Sequence, residues 1–480
     1  MAGLSQARSD QPVQLRSSTV RVGAGLAASG WVLRRLWRLA VVTAATPAAL
    51  AGLLSVILSA LLWSVSPLLM LSMLALGIGL LVGVRSVWPD RWLVWLRLPL
   101  RSWWRGWLVY RRCWPAAMDT AGLATSWRGT VWTPTVLTVS STLSVDRVRV
   151  RMLPGQTVED YADVAHRLAQ TFGASAVRVR SVLQRPHHVE LWLLTVDPLT
   201  SVVEPLPVDD QALTEGLPLA LAEDGRTWRL QLVGSHVLVV GATGAGKGSV
   251  IWSLLLHLAP LVRSGLVAVW AVDPKGGMEL AAGRRLFARF AHGDSDAAAG
   301  YESTFAEVLE DAVAVMRRRQ DRLRGVTRLH TPSTAEPLVV LVVDELAALT
   351  GWVTDRTAKK RIEAALGLLL SQGRAVGVVV VGAVQDPRKD VLPMRDLFPT
   401  RIALRLNEAE QVNLVLGPGA RNRGAHADLI PDGLPGVGYV TVDGIAEPVR
   451  VRFSNVTDQH IAQLVTPVTP ALQLVSGEAA

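Results

Sequence analysis

The residues with the densest chemical content run in unbroken succession: Gly241, Ala242, Thr243, Gly244, Ala245, Gly246, Lys247, Gly248 and Ser249. A short apolar run, 236–240, leads into them, and a helical pattern, VIWSLLLHLA, leads out. Strand, glycine loop and helix in that order make a phosphate cradle. The glycines let backbone N–H groups turn inward around a β-phosphate, and the positive end of the following helix strengthens that field. Lys247 would reach the β- and γ-phosphates. The bland alternative, a glycine turn without a ligand, does not account for the flanking strand and helix. The cofactors expected are ATP and Mg2+. One position departs from the usual pattern, which places Ser or Thr after the lysine as a metal ligand. Here Gly248 stands there, and Ser249 follows about 100° further round the helix. Either the loop shifts register so that Ser249 reaches the metal, or water completes the Mg2+ shell.

A phosphate cradle needs an acid for the metal and another for the water. Residues 338–345, LVVLVVDE, read as a buried strand ending in both. Asp344 would hold Mg2+ through water and Glu345 would orient the attacking water, with the strand expected beside the strand of the phosphate loop. Alone, a buried strand ending in an acid is common; its place downstream of the loop, with helices between, gives it weight. A further apolar run, 375–385, ends at Gln385, which can sense a γ-phosphate or be a simple loop residue. His257, inside the apolar helix after the loop, reads as a packed residue.

The elements that must position these groups are legible as strands near 236–240, 267–272, 338–343 and 376–383, alternating with helices. That pattern is an open α/β fold with a mostly parallel sheet and its ligands at the carboxyl ends of the strands. Segments 401–406, 437–442 and 448–453 extend the sheet. Upstream, 134–152 reads as one strand, Thr157 as the N-cap of a helix reaching about Phe172, and 175–183 and 188–194 as two more strands: a small β-α-β-β domain. Arg147, Arg149 and Arg151 alternate along the first strand and share a face, as do Arg178 and Arg180 on the second. These arginines either line a nucleic-acid path or cover a solvated face. His187 and His188 have no acidic or cysteine cluster beside them and read as structural.

The composition adds two constraints. Half of the residues are hydrophobic and the net charge is +9, which fits an anionic partner such as nucleic acid or lipid. The single cysteine, Cys113, excludes an intrachain disulfide framework and a multi-cysteine metal site. No charged residue occurs between Arg38 and Arg85. That stretch is too long for one spanning helix of about 20 residues and suits two, at roughly 41–62 and 67–84, broken at Trp63-Ser64-Val65-Ser66-Pro67. Arginines outside both ends, Arg34, Arg35 and Arg38 before and Arg85, Arg91 and Arg97 after, place both termini in the cytoplasm by the positive-inside rule. The expected location is therefore the cell membrane, with two spans. Residues 88–114 interleave tryptophan and arginine and read as a helix on the inner membrane face, in contact with lipid; a platform for single-stranded nucleic acid is the alternative.

Taken in order, GATGAGKGS (241–249), VDPKGGMEL (272–280), VMRRR (315–319), VVDELAAL (342–349), QGRAVGVVVVGAVQDP (372–387) and PTRIALRL (399–406) resemble the motor domain of the FtsK/SpoIIIE DNA translocases. LPGQTVEDYADVAHRLA (153–169) resembles part of the small domain before that motor. The resemblance covers about 130–460. It implies a RecA-like P-loop motor, a homo-oligomer in the form of a hexameric ring, and double-stranded DNA in its central channel. ATP would lie between subunits, with an arginine from the neighbour; Arg401 and Arg374 are the candidates. Asp273 and Lys275 match a family motif at a strand end near the nucleotide.

The layout expected is a cytoplasmic tail (1–38), a transmembrane hairpin (39–84), a Trp/Arg-rich juxtamembrane segment (85–120), the small domain (121–205), the motor (206–465) and a tail (466–480). The small anchor, the loop variant and a tail too short for a winged helix are similar to the TraB-type transfer proteins of mycelial actinobacteria, which move double-stranded plasmid or integrated-element DNA between cells. A chromosome-segregation translocase, a type VII protein-export ATPase, a coupling ATPase for single-stranded DNA and a scaffold with a decayed loop are the alternatives. A single phosphate loop argues against the export type, which usually chains several ATPase modules. Intact Lys247, Asp344 and Glu345 argue against the scaffold.

Overall fold

The computed structural model describes residues 66–465, apart from 183, 210–211 and 294–299. The N-terminal tail, the expected first span at 41–62 and the C-terminal tail lie outside the described residues. The chain divides into two compact units, up to Leu96 and from Arg97 onward. In the first unit, α1 (Pro67–Val87) runs where the second span is expected, with leucines such as Leu68, Leu74 and Leu80 exposed. Among the described residues no helix is long and apolar enough to cross a membrane, and the hairpin is not seen as a unit because its first half lies outside them.

The second unit opens with a helix, α2, in three segments: Leu98–Trp104, the π-helical Arg105–Arg111, and Arg112–Thr120. Trp103, Trp104 and Trp107 are exposed, but Tyr110, Trp114, Ala117 and Met118 are buried against the small domain. Trp114 stacks on Phe172 and donates from Nε1 to Pro134 O at 2.7 Å. The fully buried Asp146 is neutralised by Arg105 and accepts from Tyr110 Oη at 2.8 Å. The later part of the Trp/Arg-rich stretch therefore packs as a core element of the small domain.

The small domain has β1 (Thr135–Ser141), β2 (Val145–Arg151), α3 (Val158–Asp163), α4 (Ala165–Phe172), β3 (Ala176–Ser181) and β4 (His188–Leu194). Its antiparallel sheet has the order β1-β2-β4-β3. The single strand expected over 134–152 is thus two strands, and the order is β-β-α-α-β-β. The break is a tight turn in which Thr142 N donates to Val145 O at 2.7 Å and Val145 N donates to Thr142 Oγ1 at 3.0 Å. A threonine side chain closes it without the glycine or proline that usually announces a turn. Thr157 does open the helix, its N–H donating to Asp160 Oδ2 at 2.7 Å.

The motor sheet comprises β5 (Leu217–Ala222), β6 (Thr227–Leu230), β7 (Val237–Val240), β8 (Val267–Asp273), β9 (Phe287–His292), β10 (Leu338–Val343), β11 (Val378–Val384), β12 (Thr400–Leu404), β13 (Val437–Val442) and β14 (Ile445–Phe453). The ten strands lie in the order β9-β8-β10-β11-β7-β12-β13-β14-β5-β6. From β9 to β12 all are parallel; from β12 to β6 neighbours are antiparallel. Strands β7, β10 and β11 are valine-rich and wholly buried, as a parallel sheet covered on both faces requires. Burial of this kind contributes on the order of 1.5–3 kcal/mol for each fully buried aliphatic side chain. Helices α5 (Lys247–Arg263), α6 (Tyr301–Leu323) and α7 (Arg356–Leu368) supply the covering apolar faces, so that two buried clusters flank the sheet.

The acid-bearing strand β10 is not next to β7. Strand β11 pairs with both and lies between them. Single-strand reading could not see this, since strand order is a matter of crossover and not of local pattern.

Candidate nucleotide site

Five parallel strands deliver their last or next residue to one end of the sheet. Asp273 ends β8, Asp344 follows β10, Gln385 follows β11, Gly241 follows β7 and Arg405 follows β12. The insertion of β11 puts Gln385 between the phosphate loop and the acids. Thr243 Oγ1 donates to Gln385 Oε1 at 3.1 Å, and Gln385 N donates to Glu345 Oε1 at 3.4 Å. Gln385 therefore links the two halves of the site.

The loop is held in the cradle conformation. Gly244 and Gly246 have φ of +74° and +96°. A β-carbon on Gly246 would also strike the backbone nitrogen of Gly436, which donates to Ala245 O at 2.9 Å. Lys247 opens α5, and its Nζ donates to Gly241 O at 2.8 Å and Ala242 O at 3.3 Å. Arg405, which sequence reasoning missed, donates from Nη2 to Thr243 O at 2.8 Å and pairs with Asp432 at 3.1 Å. It braces the loop tip; the only hint in the sequence was its place directly after a strand.

The acids are buried, Asp344 at 2% and Glu345 at 1% exposure. Lys275 Nζ donates to Asp344 Oδ2 at 2.7 Å and lies 3.9 Å from Glu345 Oε2. Glu345 Oε2 itself has no hydrogen-bond partner. Burial pushes the Glu345 carboxyl above its ordinary range, although Lys275 and Lys247 pull the other way. Burial likewise lowers the Lys247 ammonium, opposed by Glu345 and aided by Lys275. For Lys275, burial is outweighed by its bond to Asp344, and it is raised. Shifts of this kind, set by burial and close opposite charge, are concentrated at functional sites. Asp273 plays a different part. Fully buried, it accepts from the backbone N–H groups of Lys275, Glu279 and Leu280 at 3.0, 3.0 and 2.9 Å, and so shapes the loop that presents Lys275.

The register question at Gly248 is settled in favour of the plain register, since Gly248 directly follows Lys247 in α5. Ser249 Cβ lies 3.8 Å from where a β-carbon on Gly436 would sit, beside the loop residue Ala245, whose carbonyl accepts from Gly436 N–H at 2.9 Å. Ser249 follows Gly248 about 100° further round α5 than the position usually given to the metal-binding hydroxyl. Among the described residues no group of three or more His, Cys, Asp or Glu could hold a metal unaided. Magnesium suits such a site, since it is usually held by one or two carboxylates, phosphate oxygens and water. Asp344 offers the hard oxygen at the right strand end.

Arg401 and Arg374 are not in this site. Arg401 pairs with Leu238 near the start of β7, and Arg374 precedes β11, so both lie at the amino end of the sheet. They line one cavity of about 670 Å3 together with Arg423, Asp396 and Asp443. Arg401 Nε donates to Phe398 O at 2.9 Å, away from the chain's own Lys247. His257 is packed, its Nδ1 2.8 Å from Ser253 O.

The arginine face of the small domain does not form an open path. Arg178 donates to Glu223 at 3.2 Å and to Gly424 O at 2.9 Å, joining the small domain to the motor. Arg147 reaches Asp224 at 3.4 Å and Arg180 reaches Glu447 at 3.3 Å, and both guanidiniums lie over the Trp192 ring. Neither reading of that face anticipated a joint, because sequence periodicity shows a shared face and not what covers it.

Residues 208–429 match the model of the FtsK/SpoIIIE family, and residues 113–195 match that of the actinomycete conjugal transfer protein N-terminal domain. Transfer protein TraSA of Streptomyces ambofaciens is 28% identical over 361 residues, covering 71% of this chain and 84% of that protein. DNA translocase FtsK of Corynebacterium glutamicum is 27% identical over 249 residues, covering 48% of this chain but only 25% of that protein. Among solved structures, the monomer form of the pCW3 conjugation coupling protein TcpA with ATPγS covers 73% of this chain and 98% of its own at 17% identity, with a TM-score of 0.45.

Proposed function

We propose, for a chain whose residues 208–429 are an FtsK/SpoIIIE family domain and whose residues 113–195 are a conjugal-transfer N-terminal domain, that it is a membrane-anchored, ATP-driven translocase of double-stranded DNA serving conjugative transfer. The protein is a P-loop ATPase. The observation that carries the fuller reading is the union, in one compact unit, of a P-loop nucleotide site with the transfer-type N-terminal domain, the two joined by Arg178, Arg147 and Arg180.

In the hydrolytic step, bound ATP with Mg2+ supplies the reactive phosphoanhydride and a counter-charge for it. Lys247 leaves the carbonyls of Gly241 and Ala242 to meet the phosphates, and the loop N–H groups and the start of α5 add their field. Glu345, ionised and buried, orients water and accepts its proton. Gln385 touches both Thr243 and Glu345 and so couples phosphate occupancy to the base. Lys275 keeps Asp344 and Glu345 in place until nucleotide arrives.

The amino-end cavity with Arg401 and Arg374 supports a ring. Those side chains lie at the amino end, outside the chain's own site, and in a homo-hexamer with ATP between subunits their role is toward a neighbour's nucleotide. The exposed leucines of α1 and the uncharged stretch before Arg85 support anchoring by two spans with both termini in the cytoplasm.

The test is steady-state ATP hydrolysis by the full chain in detergent, without DNA and with duplex or single-stranded DNA, beside Lys247→Ala. Stimulation by duplex DNA that is lost in the variant is the expected result. Stimulation by single strands alone would assign a coupling ATPase instead, and indifference to both would overturn DNA translocation in favour of protein export.

A further inference from the structure

We infer that Glu279 supplies the metal ligand missing from the phosphate loop, its carboxylate taking the place of the hydroxyl that a Ser or Thr at position 248 would carry. This rests on the ATP-site reading above and concerns the residue that completes it.

Three observations converge. A β-carbon built on Gly248 would meet one group beyond its own helix backbone among the described residues, Glu279 Oε2, at 3.6 Å. The direction in which a Ser or Thr side chain would leave α5 therefore points at a carboxylate oxygen. The backbone of Glu279 is fixed from behind. Its N–H donates to the buried Asp273 at 3.0 Å, and the next residue, Leu280, is fully buried. The carboxylate thus hangs from an anchored position rather than from a mobile loop. Finally, Glu279 acts electrostatically on both Lys247 and Lys275, which places it with Asp344 and Glu345 around the same two ammoniums.

The chemistry is favourable. Mg2+ prefers hard, charged oxygen donors, and a carboxylate binds it more strongly than a neutral hydroxyl. Ser249 leaves α5 about 100° from the direction of position 248, with its Cβ 3.8 Å from a β-carbon built on Gly436. A glycine at 248 is not required by backbone strain, since that residue is not among those with positive φ. Its lack of a side chain leaves room for the Glu279 carboxylate to move toward the loop. Without a hydroxyl at 248, water or another protein oxygen must fill that place in the metal shell, and Glu279 Oε2 is the protein oxygen that lies there among the described residues.

The experiment uses the full chain in detergent, ATPγS, and Mn2+ as a paramagnetic replacement for Mg2+. Nucleotide affinity is first measured in EDTA by calorimetry, then Mn2+ is titrated into the nucleotide-bound protein and followed by electron paramagnetic resonance. Glu279→Gln should keep its metal-free nucleotide affinity, which also reports that it is folded, while its Mn2+ affinity falls by about tenfold or more. Gly248→Ser combined with Glu279→Gln should recover most of that loss, because the hydroxyl returns to the vacated direction. An unchanged Mn2+ affinity in Glu279→Gln, or a loss that Gly248→Ser does not repair, would overturn the inference. Absence of nucleotide binding by the unaltered chain would instead overturn the ATP-site reading on which it stands.

Discussion

The carboxyl end of the motor sheet and the arginine face of the small sheet are both dense in charge, and their charges are balanced differently. On the small sheet every arginine that meets the motor has a dedicated partner: Arg178 has Glu223, Arg147 has Asp224 and Arg180 has Glu447. At the motor's strand ends the pairing is incomplete. Glu345 Oε2 is buried without a hydrogen bond, and Lys247 is satisfied by the carbonyls of its own loop. Charge paired one to one across the joint holds two bodies together, even where a single atom such as Arg147 Nε is left without a hydrogen bond. Charge left partly unmatched, at the ends of a rigid sheet, is what a ligand can complete. The difference lies in the partners, since both regions show the same kind of residue at the same kind of spacing.

The strongest way to break that comparison is at the unmatched end. Glu345→Gln should lower kcat by about 10²–10⁴-fold, because it removes the proton acceptor while keeping the shape. Its thermal midpoint should change little, since the buried oxygen it replaces makes no hydrogen bond and Lys275, 3.9 Å away, keeps Asp344 at 2.7 Å. Lys247→Ala should lower kcat by about 10²–10³-fold through lost stabilisation of phosphate charge. ATP hydrolysis and thermal unfolding, measured on the same preparations, check both. A variant that lost stability rather than rate would mean that these residues belong to the scaffold.

The matched region should answer in the opposite way. Arg178→Ala leaves Glu223, 4% exposed, without its guanidinium. Removing one partner of a buried pair costs about 3–5 kcal/mol. Urea denaturation of the variant should register that loss, while nucleotide affinity of the folded protein stays close to its starting value. A large loss of nucleotide affinity with stability intact would show that the joint is part of the site.

The difference between the regions also marks what could be read in advance. The phosphate loop, Asp344, Glu345 and the alternating strands were legible because a parallel sheet buried on both faces writes itself as continuous valine runs, and the chemistry sits directly after each run. Gln385 was legible as a strand end; its bridging position was not, because the insertion of β11 between β7 and β10 depends on crossover order. The turn at Thr142 was missed for want of glycine or proline. Arg405, Glu279 and the fate of Ser249 depend on which side chains meet across loops far apart in sequence, such as Gly248 with Glu279 and Thr243 with Arg405. Periodicity carries no information about such meetings. The same limit hid the joint: Arg178 and Arg180 were correctly put on one face, but the acids they meet lie in the motor.

A gentler test uses pH. The ionised form of Glu345 is needed, and burial has raised its pKa, so hydrolysis should begin to fall at higher pH on the acid side than an ordinary glutamate would allow. The protonated form of Lys247 is needed, and burial has lowered its pKa, so the alkaline limb should begin below the ordinary lysine range. Lys275 pulls Glu345 down and also lowers Lys247. Lys275→Met should therefore move both limbs of the remaining activity toward higher pH, read from kcat/KM across the range. A profile that narrows or moves down would mean that other groups set the limbs.

The smallest effect is expected on the strand where the comparison is closest. Arg147 and Arg149 lie two residues apart on one face of β2, but Arg147 faces the motor, while Arg149 pairs with Glu190 of its own sheet at 3.0 Å and is 40% exposed in its side chain. A pair that exposed is screened by water, so Arg149→Ala should cost less than about 1 kcal/mol in urea denaturation. If the small sheet is a joint and not a DNA path, the same variant should also leave the stimulation of ATP hydrolysis by duplex DNA within about twofold and the salt dependence of DNA affinity unchanged, since no phosphate contact is lost. A fall in that salt dependence would return Arg149 to the nucleic acid and confine the joint to Arg147, Arg178 and Arg180.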